Sequence, residues 1–248
     1  MERNSRYSAA EIKEIQVHLA WAQLSAVTAD IEDIQVLIAG DDRSVSEMQI
    51  AVKEGALTIE QPQFGLSLDV MQGKWMQVCL RMPEKYAGSI YMNTITGLIT
   101  VRGIKAEKLG VETVNGDLRV TSVSAGEIKM GSVTGEICAG SLSGESLKIR
   151  AVNGKVDVED AAFDMVKTSS VAGKQKLVFV RPFMTMEARS VSGKIHVYAA
   201  SRQLHVITRS VKAQVKMKNI EDNEQAPELR LVTVSGRLEV DSALGIEK

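Results

Sequence analysis

The chain has 248 residues, is 44% hydrophobic and 25% charged, and carries a formal net charge of −1. That length and apolar content allow a sizeable core, and the near-neutral balance excludes a wholly basic nucleic-acid binder, so no specific nucleic acid is expected as a partner. Aromatic residues amount to only 4%, which suits an aliphatic core better than a sugar-stacking groove.

Residues 1–11 are polar and are expected to be mobile. They lack the basic segment and apolar run of a signal peptide, and no later stretch has the apolar length of a transmembrane segment. The chain as it stands is therefore expected to be cytoplasmic, with peripheral envelope association as the alternative.

Residues 12–89 alternate weakly. Apolar pairs at Ile15/Val17, Leu24/Ala26, Ile34/Val36/Ile38, Ile50/Val52, Leu57/Ile59, Leu66/Leu68 and Val78/Leu80 give the two-residue period of a strand. This portion reads as irregular β structure. For Ala9–Gln23 a short helix is the alternative, since Ser8 could cap it with Glu11 three residues later. Asp41-Asp42, Gln61-Pro62 and Met71-Gln72-Gly73 read as turns, and Pro83 closes a strand because it cannot donate to a ladder.

From Ile90 to residue 242 one phrase recurs: small hydroxyl, aliphatic, short polar, Gly, charged, aliphatic, charged, aliphatic. Thr113-Val114-Asn115-Gly116-Asp117-Leu118-Arg119-Val120 and Ser190-Val191-Ser192-Gly193-Lys194-Ile195-His196-Val197 are clear copies. The glycine falls at Gly97, Gly116, Gly135, Gly154, Gly173 and Gly193, then Ala213 as a substitute, then Gly236, in steps of 19, 19, 19, 19, 20, 20 and 23. Columns seven and five residues before the glycine, two before it, and two and four after it are almost wholly apolar.

Such short units cannot each close a core, but stacked in register they bury a continuous aliphatic column. The fold expected is all-β: a single-stranded β-solenoid of the β-helix or β-roll kind, with rungs of about 20 residues and two strands each. Val114, Val133, Val152, Val171 and Val191 are expected to form one buried ladder, and Leu118, Ile137, Val156 and Ile195 a second. Gln175 interrupts a core column and should be either bulged or buried with hydrogen-bond partners. Glu221–Glu228 reads as a loop, and residues 243–248 as a tail. Some cap is expected at each end, because open strand edges invite aggregation.

The Thr-Val-Asn-Gly-Asp-Leu-Arg-Val type of repeat resembles the bacterial "putative adhesin" family of β-strand-repeat domains of unknown function. Ile15-Gln16-Val17, Ile34–Gly40 and Val78-Cys79-Leu80-Arg81-Met82-Pro83 fit the same pattern, so the resemblance covers residues 12–242. It implies a β-strand-repeat fold and a bacterial surface or envelope role; no catalytic motif stands out in the sequence, so no catalytic residues are expected.

The glycines lead into aliphatic strand and not into a helix, which excludes a phosphate-cradling loop. His18, His196 and His205 have no carboxylate or cysteine at metal-ligand spacing, so neither a metal nor a cofactor is expected. Cys79 reads as a small core residue and Cys138 as an exposed thiol. Residues 1–89 hold 8 Lys and Arg against 13 Asp and Glu, and residues 90–248 hold 22 against 18. The outward columns of the basic part place Lys155, Lys174 and Lys194 in one row, with Lys176, His196 and Lys216 in the next. Lys129, Lys148, Lys167, Arg150, Arg189 and Arg209 form a second basic region. Repeated cations suit an anionic polymer, a membrane surface or an acidic protein. The function expected is that of a non-catalytic interaction or scaffold protein, not an enzyme. A carbohydrate-active enzyme on a β-helix and a self-associating structural protein are the alternatives. A carboxylate cluster on one face would favour the former, and an uncapped apolar terminal layer the latter.

Overall fold

Repeats too short to close a core alone bury their inward side chains by stacking, so the repeat columns dictate parallel, in-register pairing. The computed structural model describes residues 1–62 and 75–244. Its strands are β1 (Glu2–Tyr7), β2 (Glu14–Trp21), β3 (Gln23–Ala29), β4 (Ile34–Gly40), β5 (Gln49–Lys53), β6 (Ala56–Glu60), β7 (Met76–Pro83), β8 (Ser89–Thr96) and β9 (Ile99–Arg102). Then follow β10 (Lys105–Asn115), β11 (Leu118–Thr134), β12 (Ile137–Asn153), β13 (Val156–Ala172), β14 (Gln175–Phe179), β15 (Thr185–Ala199), β16 (Gln203–Lys218), β17 (Glu221–Asp222) and β18 (Glu228–Ser242). Between β4 and β5 lies one short helix, α1 (Asp42–Ser46), whose Ser44 amide donates to the Asp41 carboxylate at 3.0 Å. The helix alternative near the N-terminus does not hold, because Glu14–Trp21 is strand. The expected strand pair Leu66/Leu68 and the turn at Met71–Gly73 lie outside the described residues.

The centre of the chain follows the columns. Leu109 pairs with Ile128, Ile128 with Leu147 and Leu147 with Val166. Leu118, Ile137, Val156 and Gln175 are likewise consecutive partners. All of these aliphatic side chains are buried. The result is an all-β, solenoid-like stack of parallel layers. The glycine column follows from it. A Cβ on Gly135 would stand 2.0 Å from the Gly116 carbonyl oxygen, and one on Gly154 2.0 Å from that of Gly135. With φ at +136° and +149°, both positions also need the conformations glycine alone adopts freely.

The valine ladder is a correction. Val114, Val133, Val152, Val171 and Val191 are 37–49% exposed. Side chains one residue apart on a strand face opposite ways. Positions seven, five and three before the glycine point inward, so the valine two before it points out. The inward place is taken by the small hydroxyl residue: Thr94, Thr113, Ser132, Ser170, Ser190 and Thr233 are buried. Several hydroxyls bond the backbone two residues on, as from Thr94 to the Thr96 carbonyl at 3.0 Å and from Thr233 to that of Ser235 at 2.9 Å. These bonds hold the approach to the glycine bend.

Gln175 is fully buried and bonded. It accepts from the Thr168 hydroxyl at 2.7 Å, and its amide donates to the Ser170 hydroxyl at 2.7 Å and the Arg189 carbonyl at 2.8 Å. Cys79 is not a core residue. It is half-buried, on the outward side between Val78 and Leu80.

Both ends depart from sequence order. β2 and β3 form a layer between β8/β9 on one side and β6/β7 on the other. The stacked columns thus begin at Ile15, which pairs with Ile90 and Leu57. Antiparallel strands then close this end, with β5 on β6, β4 on β7 and β1 on β4. The expected mobile segment thus contributes β1. At the other end β18 inserts between β15 and β16: Gly193 pairs with Gly236, and Gly236 with Ala213. The last layer is therefore β16, not the C-terminal strand, and most of it is exposed.

Candidate interaction faces

Each layer bends at its glycine, so the stack presents two outward faces beside that corner. The narrow face carries the residues one and three after the glycine. The wide face carries those two, four and six before it.

The narrow face holds Lys155, Lys174, Lys176, Lys194, His196 and Lys216. Stacking brings them together, but with carboxylates between them. Lys155 Nζ lies 2.6 Å from Asp157 Oδ2, and Lys176 Nζ lies 2.8 Å from Glu159 and 3.7 Å from Asp157. The insertion of β18 sets Glu239 between His196 and Lys216. Glu239 pairs with Lys194, lies 3.5 Å from His196 Nδ1 and 3.7 Å from Arg237. Lys174 and Lys216 stand in no ion pair among the described residues.

The titration behaviour follows these contacts. The hydrogen bond that Lys155 donates to Asp157 raises the Lys155 pKa, and the one that Lys176 donates to Glu159 raises the Lys176 pKa. The hydrogen bond from Lys194 holds the Glu239 carboxyl below its usual value. Burial, followed by the Lys194 charge, lowers the His196 pKa. The His196 ring also rests on Tyr198, with centroids 4.0 Å apart. Cys138, half-buried on this face, has its thiol pKa raised by burial.

The wide face is different. Val114, Val133, Val152, Val171, Val191 and Val234 form an exposed apolar ridge across successive layers. Beside it Lys129, Lys148 and Lys167 stand in register. Lys129 pairs with Glu127 at 3.0 Å, and Arg189 with Glu187 at 2.6 Å. Among the described residues Lys148, Lys167 and Arg150 stand in no ion pair. Sequence reasoning placed the cations here but missed the ridge. The odd spacing between the valine and the aliphatic positions was the signal.

Among the described residues no group of three or more His, Cys, Asp or Glu is placed to hold a metal ion. No helix there is long and apolar enough to cross a membrane.

Layered parallel strands with long outward faces define the class: a β-strand-repeat protein. The chain belongs to the Toastrack DUF4097 family, whose family model matches residues 12–242. Among curated proteins none matches. Solved structures share the fold. A "putative adhesin" of Bacteroides fragilis aligns with TM-score 0.60 and 13% identity, over 98% of this chain and 97% of its own. A "putative lipid binding protein" of Parabacteroides distasonis aligns with TM-score 0.57 and 12% identity, over 96% of each chain. A "putative adhesin" of the same organism aligns with TM-score 0.51 and 13% identity, over 98% and 97%. At these identities the likeness is one of fold.

Proposed function

We propose that this protein is a non-catalytic β-solenoid interaction module that docks its wide face on an anionic lipid surface, as at a bacterial envelope. The carrying observation is the valine ridge beside Lys148, Lys167 and Arg150, which stand in no ion pair among the described residues. A contiguous exposed apolar stripe marks an interaction surface. A hydrophilic polyanion would meet the cations but leave the valines in water, whereas a lipid interface accepts both. The narrow face has carboxylates interleaved with its cations and offers less net attraction.

The test is flotation with vesicles of phosphatidylglycerol or phosphatidylcholine at low and moderate salt. Binding should require phosphatidylglycerol and weaken with salt, because exposed charges are screened over about 10 Å at 0.1 M. It should be lost in a Lys148→Glu, Arg150→Glu, Lys167→Glu variant and reduced in Val133→Thr, Val152→Thr, Val171→Thr. A Lys155→Glu, Lys174→Glu, Lys194→Glu variant should bind nearly as the parent does. Loss of binding in that last variant alone would move the site to the narrow face. Binding to polyphosphate but not to vesicles would overturn the lipid reading.

A further inference from the structure

Alternate residues of a strand aim their backbone groups at opposite edges. In β16 the His205 amide donates to the Pro227 carbonyl on the β18 side. Arg202 and Leu204 aim the other way, and their carbonyls accept from the amides of Glu221 and Asn223. The Val206 amide donates to the Asp222 carboxylate at 3.1 Å. The acidic strand β17 therefore lies on the outer edge of β16, at Gln203 and Leu204 only. Beyond Val206, among the described residues, no strand pairs with that edge. The opposite end of the stack is closed by antiparallel strands.

The open edge has a definite chemistry. Gln203–Lys218 contains Arg209, Lys212, Lys216 and Lys218 and no acidic residue. None of these four cations stands in an ion pair among the described residues. Val215 and Met217 continue the core columns of Leu238 and Val240, yet are 39% and 50% exposed. A second copy is a poor occupant. Two β16 edges would oppose like charges, and the edge strands at the far end, β1 and β5, carry Arg3, Arg6 and Lys53.

We propose that the outer edge of β16, from Thr208 to Lys218, accepts an acidic, extended segment of a partner protein by strand addition. The segment continues the seat that Glu221 and Asp222 begin. Its carboxylates meet Lys212, Lys216 and Lys218, and its alternate apolar side chains cover Val215 and Met217. This goes beyond the lipid reading and uses a different surface.

The probe is a fluorescent, end-blocked ten-residue peptide of alternating valine and glutamate, followed by anisotropy at low salt. Saturable binding is expected. The Kd should rise at least tenfold in a Lys212→Glu, Lys216→Glu, Lys218→Glu variant. It should also rise at least tenfold against the parent protein when the peptide is N-methylated at alternate residues, since that change spares charge and removes backbone donors. The Lys148→Glu, Arg150→Glu, Lys167→Glu variant should bind the peptide like the parent, which separates this proposal from the wide-face one. Absence of saturable binding, equal binding of the N-methylated peptide, or indifference to the lysine changes would each overturn the proposal. So would sedimentation of the protein alone as a dimer that the peptide leaves intact, because the edge would then be held by a second copy.

Discussion

Val152 and Val156 lie four residues apart in the same repeat, and one is 37% exposed while the other is 1% exposed. Gly154 stands between them with φ +149°. Before the glycine the valine is out of phase with the inward Leu147, Ile149 and Ala151. After it the chain has bent and the valine is in phase with the core. Identical side chains thus form an exposed ridge on one side of the corner and the core on the other.

The sharpest way to break this comparison is to charge both valines. Val156→Asp should unfold the stack, because a carboxylate would be buried among aliphatic layers without a partner. Val152→Asp should leave stability within about 1 kcal/mol of the parent, as exposed substitutions do. Urea denaturation followed by circular dichroism measures both, and equal losses would refute the assignment of the ridge to the outside.

The glycines make a second pair. Gly154→Ala should cost about 3 kcal/mol or more, since its Cβ would meet the Gly135 backbone at 2.0 Å and overpacking against backbone adds to the strained φ. A Cβ on Gly131, on the wide face, would meet only the Glu112 side chain at 3.3 Å. Gly131→Ala should therefore change stability by no more than about 0.5 kcal/mol. Melting midpoints of the two variants, measured side by side, test this.

The buried amide gives a smaller effect. Gln175→Leu fills the column with a matching shape but removes the amide that the Thr168 hydroxyl and the Arg189 carbonyl bond, while the Ser170 hydroxyl keeps its bond to Ser190. Unmet buried polar groups cost about 1–3 kcal/mol. A more stable Gln175→Leu protein would show that these groups find other partners. The smallest effect is expected on the narrow face. His196 has a lowered folded-state pKa, so the unfolded chain takes up its proton first as pH falls. The stability linked to this group is intact above the ordinary histidine pKa and declines as pH drops through that value toward the lowered one. Denaturation midpoints from pH 7.5 to 5 should fall less steeply in His196→Gln, and parallel curves would assign the pH dependence to other groups.

Much of this was legible in the residues. The glycine column, the inward aliphatic columns and the bonded Gln175 all express one constraint, that backbone and side chains repeat every layer. The error at Val114, Val133, Val152, Val171 and Val191 came from weighing hydrophobicity above phase. Cys79 was misplaced for the same reason, since it stands one residue out of phase with Val78 and Leu80. Of the charged positions, Lys155, Lys176 and Lys194 could be placed on one face from spacing. Their compensation by Asp157, Glu159 and Glu239 depends on side-chain reach and on which layer lies next.

The sequence by itself determined the all-β stack, the register of its central layers and the glycine at the central bends, because each of these is a local pattern repeated at a near-constant interval. Only the tertiary structure decided the order of the outer layers. Leu229, Leu238 and Val240 present the same columns as Val206, Val215 and Met217, so either segment satisfies the layer above it, and pattern alone cannot rank them. Three-dimensional packing places β18 inside, where Leu229, Leu238 and Val240 are buried, and leaves β16 outside with its cations in solvent. That choice sets Glu239 among the narrow-face cations and, among the described residues, leaves the outer edge of β16 without a strand partner beyond Val206.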